Sequence, residues 1–203
     1  GRVFHAGCVG EDDPFLRKLL QENGVDTSYL ATVPVPTGQA VIFVDDSGEN
    51  SIVLYPGANA AVTEEHMRAV LSHFSAGDML LIQNEISGLR ALIAAACAKR
   101  MRILWNPAPF DPSLTAVDLS CLDWLICNET EAAGFFGENR PDAFLAHLLK
   151  VHPHLCAVVT LGKQGCLYTE GGRIRCHPAY QVQTVDTTAA GDTFVGYFAA
   201  GIS

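Results

Sequence analysis

Short apolar runs alternate along this chain with stretches whose apolar residues recur every three or four positions. These two periods separate strands from amphipathic helices. Arg2-Val3-Phe4-His5-Ala6 has the character of a strand. Asp13-Pro14 predicts a helix start, with Asp as N-cap, Pro in the first turn, and Phe15, Leu16, Leu19 and Leu20 as the apolar stripe. Gln39–Val44 and Ser51–Tyr55 read as strands, and the turn residues 45–50 between them predict a β-hairpin. Past Thr63, a predicted N-cap, Met67, Val70, Leu71 and Phe74 mark a helix. Strands are expected at Met79–Ile82, Arg102–Trp105, Trp124–Cys127 and Ala157–Leu161, and shorter β runs at Cys166–Thr169 and Arg173–His177. Helices are expected at Leu89–Ala98, from near Asn128, at Ala143–Leu149 and at Ala189–Ala200.

This rhythm of short apolar strand followed by helix predicts an α/β fold, a mostly parallel sheet covered on both faces. Ligands of such sheets collect beyond the carboxyl ends of the strands, and the polar motifs fall there. The hairpin interrupts the rhythm, so it is expected to leave the main sheet.

At 203 residues and 49% hydrophobic content the chain can bury a core without a disulfide or metal staple. Its net charge of −9 and lack of a Lys/Arg cluster argue against nucleic acid or an anionic membrane as partner. No apolar run is long enough to span a bilayer. The seven cysteines are odd in number, contain no CxxC pair and sit mostly in apolar runs, which fits small buried hydrophobes in a reducing cytoplasm. The histidines show no ligand spacing, and His152-Pro153-His154 reads as a solvated turn. A strand-like beginning and a helix that ends the chain suggest a sequence cut short at both ends.

The most informative segment is Val185-Asp186-Thr187-Thr188-Ala189-Ala190-Gly191-Asp192-Thr193-Phe194. It follows a strand and opens a helix of small and apolar residues. Ala189, Ala190 and Gly191 let a ligand approach their backbone N–H groups, which form an anion hole reinforced by the helix dipole. A carboxylate beside such a hole, Asp192, can deprotonate a hydroxyl while charge grows on a transferring phosphoryl group. It can equally be an ordinary acidic residue complementing a helix N-terminus.

The segment Asp186–Asp192 resembles the second signature of the ribokinase-like (PfkB) carbohydrate kinases. Other motifs follow in that family's order: Gly7-Cys8-Val9-Gly10-Glu11-Asp12, Thr37-Gly38-Gln39-Ala40, Gly57-Ala58-Asn59, Asn106-Pro107-Ala108-Pro109, Asn128-Glu129-Thr130-Glu131 and Thr160-Leu161-Gly162-Lys163-Gln164-Gly165. The resemblance covers essentially the whole chain. It implies a three-layer α/β/α domain over 1–203 with a β lid hairpin at about 37–59. It also implies transfer of the γ-phosphoryl group of ATP to a sugar hydroxyl, with D-ribose giving ribose 5-phosphate.

In that family Asp192 would be the catalytic base and would also touch the sugar, with Ala189, Ala190 and Gly191 as the anion hole. Asn128, Thr160, Gly162 and Gly191 would serve the nucleotide. Glu131 would act on Mg2+ through water, and Asp186 and Thr188 would hold K+, the latter through its carbonyl. Glu85 would contact the sugar, and Ala40 and Ile42 would cover it from the lid. Asn128 and Glu131 also fit a plain capping box, so both readings stand. Ala189 occupies a position where many family members have Gly. The family's N-terminal sugar motif would precede Gly1, and the segment that wraps adenine would follow Ser203.

Alternatives are a kinase for another sugar or a nucleoside, and a non-catalytic remnant that binds sugar or nucleotide. A dinucleotide-binding domain would need GxGxxG after a strand, and a P-loop enzyme GxxxxGK[ST]; neither is present. The alternating apolar residues of Val41–Val44 and Ile52–Leu54 leave a hairpin face needing cover, so a homodimer through the lid is expected.

Overall fold

The computed structural model describes residues 1–12, 14–44, 50–183 and 187–203. The expected N-cap Asp13, most of the hairpin turn and the K+ candidate Asp186 lie outside the described residues. In chain order the elements are β1 (Phe4–Gly10), α1 (Pro14–Glu22), β2 (Asp26–Val33), β3 (Gln39–Val44), β4 (Asn50–Tyr55) and α2 (Glu64–Leu71). They continue as β5 (Met79–Ile82), α3 (Leu89–Ala98), β6 (Arg102–Trp105), β7 (Trp124–Asn128), α4 (Glu129–Phe136) and α5 (Pro141–Val151). The last are β8 (Cys156–Thr160), β9 (Cys166–Glu170), β10 (Arg173–His177) and α6 (Ala190–Ile202). Two compact units form, one from Gly1–His73 and Glu85–Leu92, the other from Phe74–Asn84 and Ile93–Ser203.

In the first unit β1 pairs in parallel with β2. The pattern of the sequence does not predict β2, because Asp26-Thr27-Ser28-Tyr29 is polar and only Thr27 and Leu30 of the strand are buried. β1 also runs on past Ala6 to Gly10, so the Gly7–Asp12 motif lies at a strand end. The Gly10 N–H donates to Thr37 Oγ1 (2.9 Å), and Asp12 Oδ1 accepts from both the N–H (3.1 Å) and the hydroxyl (3.3 Å) of Thr37. A Cβ at Gly10 would collide with Asp12, Thr37 and Val35 together. The motif therefore clamps the root of the hairpin, with Thr37 buried at its centre.

That hairpin is antiparallel, with Val41 opposite Val53 and Ala40 opposite Leu54. Val41, Phe43, Val53 and Tyr55 share one face and Ala40, Ile42 and Leu54 the other, and both faces are exposed at these positions. α2 starts as predicted, since Thr63 Oγ1 accepts from the His66 N–H (3.1 Å). The α1 stripe is narrower than predicted: Phe15 and Leu19 are 64% and 42% exposed, leaving Leu16 and Leu20 on the inner side.

In the second unit six strands form one sheet in the order β10-β9-β8-β7-β6-β5. β5 to β8 are parallel, and β9 and β10 add an antiparallel edge. Strand parity sorts the core. Leu104, Ile126 and Val158 face α6, whose Val195, Phe194, Phe198, Ala199 and Ile202 pack on them. From the opposite face Trp105 meets Phe135 of α4 edge-on (5.7 Å), and Phe135 stacks on Phe144 of α5 (6.3 Å). Helices thus cover both faces. All seven cysteines are free thiols. Among the described residues no helix is long and apolar enough to cross a membrane.

Candidate active site

The carboxyl ends of the parallel strands bring four polar residues into one row. β5 ends at Ile82 and β6 at its register partner Trp105, so Gln83 and Asn106 emerge side by side. β7 and β8 end on Asn128 and Thr160, themselves register partners. Asn128 caps α4: its Oδ1 accepts from the Glu131 N–H (2.8 Å), and Glu131 Oε2 accepts from the Asn128 N–H (2.9 Å). The reciprocal cap is therefore present. Burial pushes the Glu131 carboxyl up, against the lowering pull of the Asn128 N–H. Burial also pushes the neighbouring Cys127 thiol up, with the Glu131 charge adding, so this thiol is no nucleophile.

Thr160 turns its hydroxyl back onto the Cys127 carbonyl (3.4 Å). Gly162, at φ 53, begins the short turn between β8 and β9. Gly165 closes that turn at φ 101, where a Cβ would strike the backbone of His177, Pro178 and Ala179. Only glycine fits there.

α6 runs antiparallel to the strands, with its start at their carboxyl ends. Its far end is held by Arg102 at the beginning of β6, which donates from Nη1 to the Ile202 carbonyl (3.1 Å). At its start Ala189 is the N-cap in the left-handed region (φ 56, ψ 17), and its carbonyl accepts from the Thr193 N–H (2.9 Å). The Ala190 N–H donates to the Thr187 carbonyl (3.1 Å), so one of the predicted anion donors closes a turn here. A Cβ on Gly191 would meet no described atom beyond its chain neighbours and the adjacent backbone of its own helix within 4 Å, so that side of the helix start is open. Asp192 lies exposed in the first turn, and its Oδ1 accepts from Gln83 Nε2 (3.2 Å).

The structure therefore gathers Asn128, Glu131, Thr160, Gly162, Ala189, Ala190, Gly191 and Asp192 in one unit, at one edge of one sheet or at the helix that reaches it. Glu85, Ala40 and Ile42 belong to the other unit; all three are exposed, Glu85 after β5 and the other two on one face of β3. Thr188 is exposed just before α6. The sequence reading missed Gln83 and Asn106 as site residues. Their signal was available: each is the first polar residue beyond a parallel strand.

No group of three or more His, Cys, Asp or Glu able to hold a metal occurs among the described residues. The oxygen donors at the strand ends, Asn128, Glu131 and Thr160, fit a hard cation carried largely by phosphate and water, as Mg2+ is. They do not form an all-protein cage.

A mostly parallel sheet that carries a carboxylate and an open helix start at its carboxyl edge defines the class only as an α/β protein with its candidate site at the strand ends. The model of the pfkB family of carbohydrate kinases matches residues 1–203, and the chain belongs to that family. It has the family's ribokinase-like α/β fold. It is 34% identical over 215 residues to the ribokinase of Schizosaccharomyces pombe, an alignment covering 100% of this chain and 67% of that protein. The structure of ribokinase from Cryptococcus neoformans in complex with ADP matches with a TM-score of 0.84 and 33% identity, covering 100% of this chain and 70% of that one. Arabidopsis thaliana ribokinase, solved with ribose and ATP, matches at 0.75 and 26%, covering 99% and 69%. The chain spans about two thirds of the length of these relatives.

Proposed function

We propose that this chain, read as one kinase domain over 1–203, phosphorylates ribose with ATP and that Asp192 is the base. The observation that carries this reading is the placement of Asp192. It sits in the first turn of α6, one residue from Gly191 at the open helix start and hydrogen-bonded into the row of polar residues at the strand ends. The relatives named ribokinase, with complexes of ADP and of ribose and ATP among them, support the substrate pair.

In the step so assigned, a sugar hydroxyl gives its proton to the Asp192 carboxylate as its oxygen bonds to the γ-phosphorus. The bond from that phosphorus to the bridging oxygen breaks, and ADP leaves with the electron pair. Amide donors at the start of α6 stabilise the charge on the transferring group. Asn128, Thr160 and Gly162 orient the nucleotide. Mg2+, when bound, offsets phosphate charge, and Glu131 would hold it through water. K+ would sit by Thr188 and Asp186. Glu85 would bind the sugar, and the hairpin bearing Ala40 and Ile42 would close over it and exclude water.

The unpaired thiols fit a cytoplasmic setting, and the exposed hairpin face fits a lid-to-lid homodimer. The test is ATP-dependent ADP release across ribose, deoxyribose, fructose and nucleosides, with Mg2+ and K+ present. Ribose is expected to give the highest kcat/KM. A nucleoside or hexose preferred by tenfold or more would overturn the substrate assignment.

A further inference from the structure

The row of strand-end residues has a direction. Asn106 is only 8% exposed, and its Nδ2 donates to the Ile126 carbonyl at 2.8 Å. A backbone carbonyl only accepts, so this bond fixes which way round the Asn106 amide lies. Its Oδ1 must then face Gln83, and an oxygen there requires a donor. Gln83 accordingly presents its amino group, and Nε2 donates to Asn106 Oδ1 at 2.7 Å. That nitrogen carries two hydrogens. The second is directed at Asp192 Oδ1, 3.2 Å away. Orientation is thus passed from a buried carbonyl of β7 through two amides to the carboxylate on α6, which can only be an acceptor at that oxygen.

We propose that Gln83, oriented by Asn106, is a positioning residue for Asp192. It ties down one carboxyl oxygen and leaves the other for the incoming hydroxyl. This rests on the reading of Asp192 as base. Gln83 itself need not touch the sugar, so its loss lowers kcat and leaves the KM for ATP in place.

Two variants of the whole protein test this: Gln83→Met, similar in length without a donor, and Gln83→Glu, nearly isosteric with a charge facing Asp192. Melting curves establish that each is folded. Turnover is expected to fall about tenfold in Gln83→Met, as for loss of a hydrogen bond to a charged group, and further in Gln83→Glu. In an Asp192→Asn background, Gln83→Met should change the residual rate no further, since the two act as a unit. Wild-type turnover in both Gln83 variants, with turnover lost in Asp192→Asn, would overturn the positioning role and keep the base. Undiminished turnover in Asp192→Asn would overturn both. Equal losses from Gln83→Met in the two backgrounds would show that Gln83 acts elsewhere. A readout independent of activity is the Gln83 side-chain amide signal in 15N spectra of the whole protein. Asp192→Asn should shift it, and an unmoved signal would contradict the contact.

Discussion

Ala189 holds a left-handed backbone at φ 56, which costs a residue with a Cβ about 1–2 kcal/mol. Ala189→Gly is therefore expected to raise stability by up to about 1 kcal/mol, read as a higher denaturation midpoint. A fall in midpoint would show that the conformation is not the strained one. Glu131 has two readings, and one substitution separates them. Glutamine serves the N3 position of a capping box as well as glutamate does. Glu131→Gln should keep the melting temperature within a few degrees yet reduce Mg2+-dependent turnover by about tenfold or more. Unchanged turnover would leave Glu131 as a cap alone. The sequence offered both readings of Asn128 and Glu131 without separating them, since Asn-x-x-Glu at a strand-to-helix junction serves either. Gln83 was not legible as a positioning residue, because its partners lie in other elements and only the fold brings them together.

At the scale of elements, α6 is pinned at both ends, by Arg102 at the Ile202 carbonyl and by Gln83 at its first turn. Arg102 also donates to the Gly77 carbonyl (3.1 Å), so Arg102→Ala removes two bonds and a charge at a helix C-terminus. A loss of about 1–2 kcal/mol is expected by chemical denaturation; no loss would mean that the apolar face alone docks the helix. The hairpin root gives a second expectation. Thr37→Val leaves the Gly10 N–H without its buried acceptor and should cost about 1–3 kcal/mol.

β5, β6 and α3 were legible to the residue, because short apolar runs and a long apolar stripe bounded by turns have few other solutions. β2 was not, since a two-stranded pair buries few of its side chains and leaves a weak period. The Gly10–Asp12–Thr37 clamp was legible only as two family motifs far apart in the chain. Its physical meaning, a buried hydroxyl shared by a backbone donor and a carboxylate, needed the fold.

For the whole molecule, the hairpin presents Val41, Phe43, Val53 and Tyr55, each at least half exposed, on a single face. An apolar face of this kind calls for cover, and the proposed dimer supplies it. Sedimentation should show a dimer at micromolar concentration, and Phe43→Asp should give monomers; a wild-type monomer would contradict the pairing.

Ribose-dependent ADP release by the wild type and Asp192→Asn, under saturating ATP, Mg2+ and K+, tests whether this sugar kinase uses Asp192 as its base. A fall in kcat of about 10²-fold or more, in a variant that melts like the wild type and still binds ATP, is the expected result. Turnover within a few-fold of the wild type would contradict it.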